Sequence, residues 1–384
     1  MKPLSVIISG VVLFLCAGCD LSMLTVNDDE KPSDNISESA TYVIVTTSDY
    51  SNGNVSVIST DDFSSEVDLL SIFSDNAVTC HDGSIYFLER DGADNIIRID
   101  GASVSADDVV YQEGIGTSVN IQQIAIISDS KAYVTQYGDS KIAIIDPSEG
   151  TVTGSISLDR DPFIHDGEEV PYMSPAVIVN GKAYIALQRL AIVQKAWGPS
   201  PDFADSTGMI VVIDIESDEI LKEIKLEKGN PAAIDTCNGN LYISSTGSWD
   251  DQTDGGIENI DCSTDRYEGV VVEEEEFGGD ITSLVMISES KAYVAVGINE
   301  ADFNFNTVVK ECNPSTGRVG SAIESVENAF GGIAYDGTYL YIGDRSATHP
   351  GVVVIDPSDN SKVAGPIDIG SLPPSAIAVL KVNE

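Results

Sequence analysis

The sequence predicts an all-β fold built as a closed ring of four-stranded antiparallel sheets, a β-propeller. Three observations carry this. Residues 131–158, KAYVTQYGDSKIAIIDPSEGTVTGSISL, read as three strands separated by turns at Gly138-Asp139 and at DPSEG, which is the alternation and turn spacing of antiparallel structure. The tyrosine of the first of these strands recurs at Tyr42, Tyr86, Tyr133, Tyr184, Tyr242, Tyr293 and Tyr341, with gaps of 44, 47, 51, 58, 51 and 48 residues. Each copy carries the same neighbours. An apolar strand follows a turn after the tyrosine (VSVIS, IIRID, IAIID, IVVID, IENID, TVVKEC, VVVID), and six copies are preceded by another apolar run (NAVTC, QQIAII, PAVIV, PAAID, TSLVMI, GGIAY). Four strands per unit at this period is the size of a propeller blade.

Along the chain, the unit begun by Tyr42 lacks its own preceding run. The missing run stands at the far end, as PPSAIAVL over residues 373–380. The expectation is that this C-terminal strand completes the N-terminal blade, because closing the ring removes open sheet edges. The stretch YVTQYGDSKIAIIDPSEGTVTGSISL resembles the repeat of the YVTN-type β-propeller family (YncE-like and surface-layer-type proteins), and the other six copies match it more loosely. The resemblance covers residues 41–384 and implies a seven-bladed β-propeller. It implies no single activity, since the family includes binding proteins and enzyme domains.

Ahead of the repeats, residues 1–18 read as a signal peptide: Lys2, then the apolar run VIISGVVLFLCAG, too short to span a membrane as a helix. LCAGC resembles a bacterial lipoprotein signal, although Cys16 stands where the pattern prefers Leu. It implies that Cys19 is the lipidated (palmitate-bearing) first residue of the mature chain. Residues 19–40 then form a polar, flexible tether. The predicted location is the cell envelope, anchored at the periplasmic side of a membrane or at the cell surface. With 62 acidic and 20 basic residues the formal net charge is −42. No nucleic acid is expected as a partner, because that needs a basic patch.

The spacing of the turns divides the disc into two unlike faces. Turns between the first and second strands (DGS, SDSK, NGK, NGN, SES, DGT) and between the third and fourth (DPSEG, IESD, CSTD, NPSTG, PSDN) are short. Connections on the other face are long: residues 188–208 in the fourth unit, 245–256 in the fifth, 297–306 in the sixth, and 159–173 between the third and fourth. Long loops on one side mark it as the working face. Trp197, Trp249, Phe163, Phe203, Phe303 and Phe305 fall there, either as contacts or as packing that holds the loops down. Arg90 and Arg345 share one repeat position, four after Tyr86 and Tyr341. Arg189 lies five after Tyr184, and Arg160 sits in a long connection. Converging arginines would take a carboxylate or phosphate, and local ion pairing is the alternative. His165 and His349 complete the predicted loop-face set.

One loop, DDQTDGG from Asp250, spaces Asp250, Gln252, Asp254, Glu258 and Asp261 like a calcium loop, with Gln and a terminal Asp departing from that pattern; calcium is the candidate cofactor. Asp100, Asp146, Asp214, Asp261, Asn313 and Asp356 recur at the end of the third strand and read as turn caps. Cys262 and Cys312 are the cysteine pair that the register does not exclude from a disulfide. Three histidines and the absence of a G-x-S-x-G motif or a Gly-rich phosphate loop leave no catalytic residue to assign. The expected function is non-catalytic binding of an anionic small molecule, a glycan or an envelope protein. The alternatives are a lactonase-like hydrolase with a carboxylate-held metal and a structural envelope or surface-layer component.

Overall fold

The computed structural model describes residues 40–382, apart from residues 197, 250 and 301–303. Cys19, the signal region and the tether up to residue 39, Trp197, Asp250 and Phe303 therefore lie outside the described residues, and Ala40, expected as the last tether residue, opens a strand. Seven four-stranded antiparallel blades form the ring. Their first strands are Pro374–Val382, Asn76–His81, Ile121–Ser128, Met173–Val179, Pro231–Cys237, the pair Asp280–Ile281 and Val285–Ser288, and Ile333–Tyr335. Each of these strands touches the first strands of the blades on either side, so together they line the axis. Blade 1 is closed as the repeat arithmetic predicts. Ala40–Ser48 pairs antiparallel with Pro374–Val382, from Ala40↔Val382 to Thr47↔Pro374.

The core lies between blades rather than at the axis. Apolar residues of the alternating strands meet those of the next blade. Examples are Tyr133, Ile142, Ile185 and Val211 between blades 3 and 4, and Tyr184, Ile210, Ile243 and Ile260 between blades 4 and 5. Phe163, predicted as a loop-face aromatic, is fully buried in the first of these interfaces. All four cysteines among the described residues are free. Cys262 packs between blades 4 and 5 and Cys312 between blades 5 and 6, so burial in separate clusters keeps the two thiols unpaired.

Two predicted strands are altered, each for a local reason. The first strand of blade 6 is interrupted at residues 282–284, where the Ser283 hydroxyl accepts the Ala295 N–H that a strand carbonyl would take. The first strand of blade 7 is cut to three residues, because Gly332 stands at φ 100° and the two glycines before Ile333 meet Gly343 only through their backbone.

Blades are stitched to their neighbours on both faces. On the short-turn face the motif Lys-Ala-Tyr opens the second strand of blades 3, 4 and 6. In blade 4, Lys182 Nζ lies 2.6 Å from Asp265 Oδ1 in the turn of blade 5, and the Tyr184 hydroxyl donates to the same oxygen at 2.5 Å and to Cys262 O at 3.1 Å. Lys131 and Tyr133 take Asp218 of blade 4 in the same way, and Lys291 and Tyr293 reach Pro357 O and Asn360 of blade 7. Asp218, Asp265 and Asn360 all sit at positive φ (61°, 53° and 62°), a backbone geometry that Asp and Asn tolerate. The turn caps follow the prediction at Asp146, Asp214, Asp261 and Asp356, each of whose carboxylates accepts the backbone N–H two residues on. Asp100 departs from it, bonding Ser84 Oγ and Arg98 Nε instead.

Candidate functional site: the long-loop face

The loop face carries regular structure where the sequence suggested irregular loops. Residues 188–208 hold a hairpin, Leu190–Lys195 paired with Gly198–Ser206, that forms its own two-stranded sheet off blade 4. The apolar run LAIV was the available sign of it. In blade 6 the predicted loop 297–306 is mostly a continuation of the two flanking strands, Lys291–Glu300 and Asn304–Asn313, which stay paired out to Glu300↔Asn304. Blade 5 lies between these two arms and contributes the loop that bears Trp249.

The blade 4 hairpin is held at several points. Glu168 of the long connection accepts the Ile192 N–H at 2.7 Å. His165 Nε2 lies 3.2 Å from Asp205 Oδ1. Phe203 meets Trp249 edge-on, with centroids 6.3 Å apart, a favourable aromatic geometry. Ser206 Oγ donates to Gln188 O and accepts the Asn230 N–H, tying the hairpin base to blade 5. His165, Phe203 and Trp249 therefore hold the arm, which is the packing alternative left open above. His349 is exposed in the loop between the second and third strands of blade 7.

The arginines do not converge as a free anion cradle. Arg90 is buried and spans Asp75, with Nε and Nη2 2.9 and 2.5 Å from Oδ1, and Gln122 Oε1 of blade 3 at 3.2 Å. Arg345 donates to Pro374 O at 2.6 Å and Ser48 O at 3.0 Å, both in blade 1. The shared repeat position is thus a latch onto the next blade. Gln188 and Thr246, at the same position in blades 4 and 5, likewise reach Pro231 O and Ile281 O. Burial pushes the Arg345 pKa down, without removing its charge at neutral pH. Arg189, at φ 48°, bonds Thr207 O and Oγ1 and reaches Ile164 O at 3.5 Å, so it secures the hairpin base. Arg160 is exposed over the Phe163 ring.

The calcium-type spacing is not realised as one loop. Asp254 accepts the Ser248 N–H. Glu258 is fully buried on the strand Gly256–Asp261, where Ser245 Oγ, Tyr267 OH and the N–H groups of Glu227 and Lys228 donate to it. Asp261 stands at the far end of that strand, on the short-turn face, its pKa pushed down to about 2 chiefly by Ser263. An extended strand separates what a wrapped loop would gather. Among the described residues no group of three acidic, histidine or cysteine side chains is placed to hold a metal ion.

Buried carboxylates concentrate instead between blades 5 and 6. Asp235, on the first strand of blade 5, accepts the Met286 N–H of blade 6 at 2.7 Å, and burial pushes its pKa up to about 7. Glu274 accepts the N–H groups of Gly255 and Ile281 at 3.0 Å, and its pKa is pushed up to about 8, first by burial and further by Asp280 and Asp254.

Comparison with solved structures gives the same architecture at low identity. The chain is similar to a chain of Kuenenia stuttgartiensis hydrazine synthase (16% identity, 80% of this chain and 91% of that one, TM-score 0.57). It is similar to apo AztD from Citrobacter koseri (10%, 89% and 98%, TM-score 0.50) and to a chain of a mitotic checkpoint complex (12%, 85% and 96%, TM-score 0.51). At these identities the likeness is one of fold. No family model matches the chain, and no curated protein matches it.

Proposed function

We propose that the protein is a lipid-anchored, extracytoplasmic propeller of the YVTN-type repeat family that works as a non-catalytic binding module through its long-loop face. The observation that carries this is the asymmetry of the disc. One face has minimal turns sealed by inter-blade clamps. The other carries two β-arms flanking the Trp249 loop. The placement of Ala40 supports the anchored arrangement. It pairs with Val382 at the short-turn end of blade 1, so a lipid on Cys19 leaves the loop face turned away from the membrane.

The test is site-specific photo-crosslinking of the full chain in its native envelope. A photoreactive residue at Val193 in the hairpin is expected to give discrete adducts, and one at Ser148 on the short-turn face is not. Adducts from Ser148 alone would overturn the assignment of the face. Metabolic labelling with palmitate, lost on Cys19→Ala, checks the anchor.

A further inference from the structure

The loop between the second and third strands of blade 1, residues 49–52, holds an aromatic side chain that the core does not bury. Tyr50 is 62% exposed, yet its backbone stands at φ 68°. A bulky residue in the left-handed region costs on the order of 1 kcal/mol or more and persists only where its surroundings hold it. Here they do. Ser48 Oγ accepts the Tyr50 N–H, and the Asp49 carboxylate accepts the N–H groups of Ser51 and Asn52. The Arg345 guanidinium lies 5.2 Å from the ring centroid. That guanidinium is itself pinned by Pro374 O and Ser48 O. The backbone beneath the ring is pinned, while the ring itself is exposed. Ser48 Oγ in turn donates to Ser74 O at 2.6 Å, which ties the base of this loop to the connection that bears Phe73, 40% exposed.

Taking the loop-face reading as its basis, we propose that Tyr50 is a stacking platform for a neutral sugar ring, with Asp49 and Asn52 addressing its hydroxyls. The chemistry of the loop selects this class. An exposed aromatic face on a pinned backbone packs against the C–H face of a pyranose. The exposed Asn52 amide already donates to the Asp49 carboxylate, 3.3 Å from Oδ2, so the two meet vicinal hydroxyls as a pair, with Asp49 Oδ2 and Asn52 Oδ1 as the acceptors. The nearby cation, Arg345, spends donors of both terminal nitrogens on carbonyls and packs on Tyr50, so it does not offer a carboxylate or phosphate the fork such a ligand needs. The net charge of −42 disfavours acidic glycans further.

The experiment titrates the purified full chain, in a sugar-free detergent, with hexasaccharides of glucose, N-acetylglucosamine, mannose and galactose. Calorimetry and saturation-transfer NMR read the binding. At least one is expected to bind, Tyr50→Ala to weaken it tenfold or more, and Tyr50→Trp to preserve it. Tyr50→Asn is the decisive variant. Asn tolerates the left-handed backbone but offers no ring, so binding is lost while the unfolding midpoint holds or rises. If Tyr50→Asn instead lowers the midpoint and leaves sugar binding intact, the residue is structural and the proposal falls. If no sugar binds the wild-type chain, the proposal also falls. Loop-face crosslinks to an envelope protein would in that case leave the binding-module reading standing.

Discussion

At the scale of the residue, the repeated tyrosines do more than fill space. Tyr133, Tyr184 and Tyr293 each end in a hydroxyl clamped to the next blade's turn, and a lysine two residues before them aims at the same turn. Removing the hydroxyl leaves a part-buried acceptor short of a donor. Tyr184→Phe is therefore expected to cost about 1–2 kcal/mol in urea unfolding, and an unchanged midpoint would remove the clamp's energetic role. The pH response rests on Asp235 and Glu274. Below about pH 4 both carboxyls are protonated in the folded and unfolded chains alike. As pH rises toward 8 the unfolded chain ionises freely, while the folded one must ionise buried groups. The stability these two groups contribute is therefore fully present below about pH 4 and lost as pH rises through the folded pKa values of about 7 and 8. Asp235→Asn keeps acceptor capacity and is expected to flatten this fall, on the order of a few kcal/mol between pH 5 and 8. Equal slopes for wild type and variant would refute it. The tyrosine period was legible in the sequence. The clamp was not, because its other half lies 67 to 85 residues away in the next unit.

Elements were legible to the extent that they repeat. Alternation and turn residues located six of the seven first strands as runs before each tyrosine, and the seventh at the C-terminus. What does not repeat was misread. The hairpin Leu190–Ser206 and the extended arm of blade 6 have no counterpart in other units, so period gave no guide. The arginines show the opposite error. Their repetition suggested a converging site, whereas the same recurrence follows from equivalent latches at equivalent seams. Arg345→Ala is expected to destabilise the protein by about 2–3 kcal/mol, since it loses two charge-assisted bonds across the closing seam. Chemical unfolding measures this, and an unaltered free energy would assign Arg345 no role in closure.

For the whole molecule, one strand pairing decides whether the ring is shut. Pro374–Val382 is the first strand of blade 1 and covers the edge of Ala40–Ser48. Deleting residues 374–384 exposes that edge and strips one wall from the largest core cluster, which includes Ala376, Ile377 and Leu380. The truncated chain is expected to aggregate or dimerise through the bare strand, and light scattering after size exclusion would detect a surviving monomer if closure were dispensable.

The same pairing sets Ala40 directly across from Val382, so the two ends of the described chain are neighbours. With those ends joined, the ring tolerates a cut in an exposed turn. A short linker joining residues 40 and 382, with new termini opened in the turn at Ser148, would keep every blade and every clamp while moving the seam from blade 1 to blade 3. The fold is in that sense circular, and a permuted chain could present the Tyr50 loop and the two arms unchanged while being tethered from a different side of the rim.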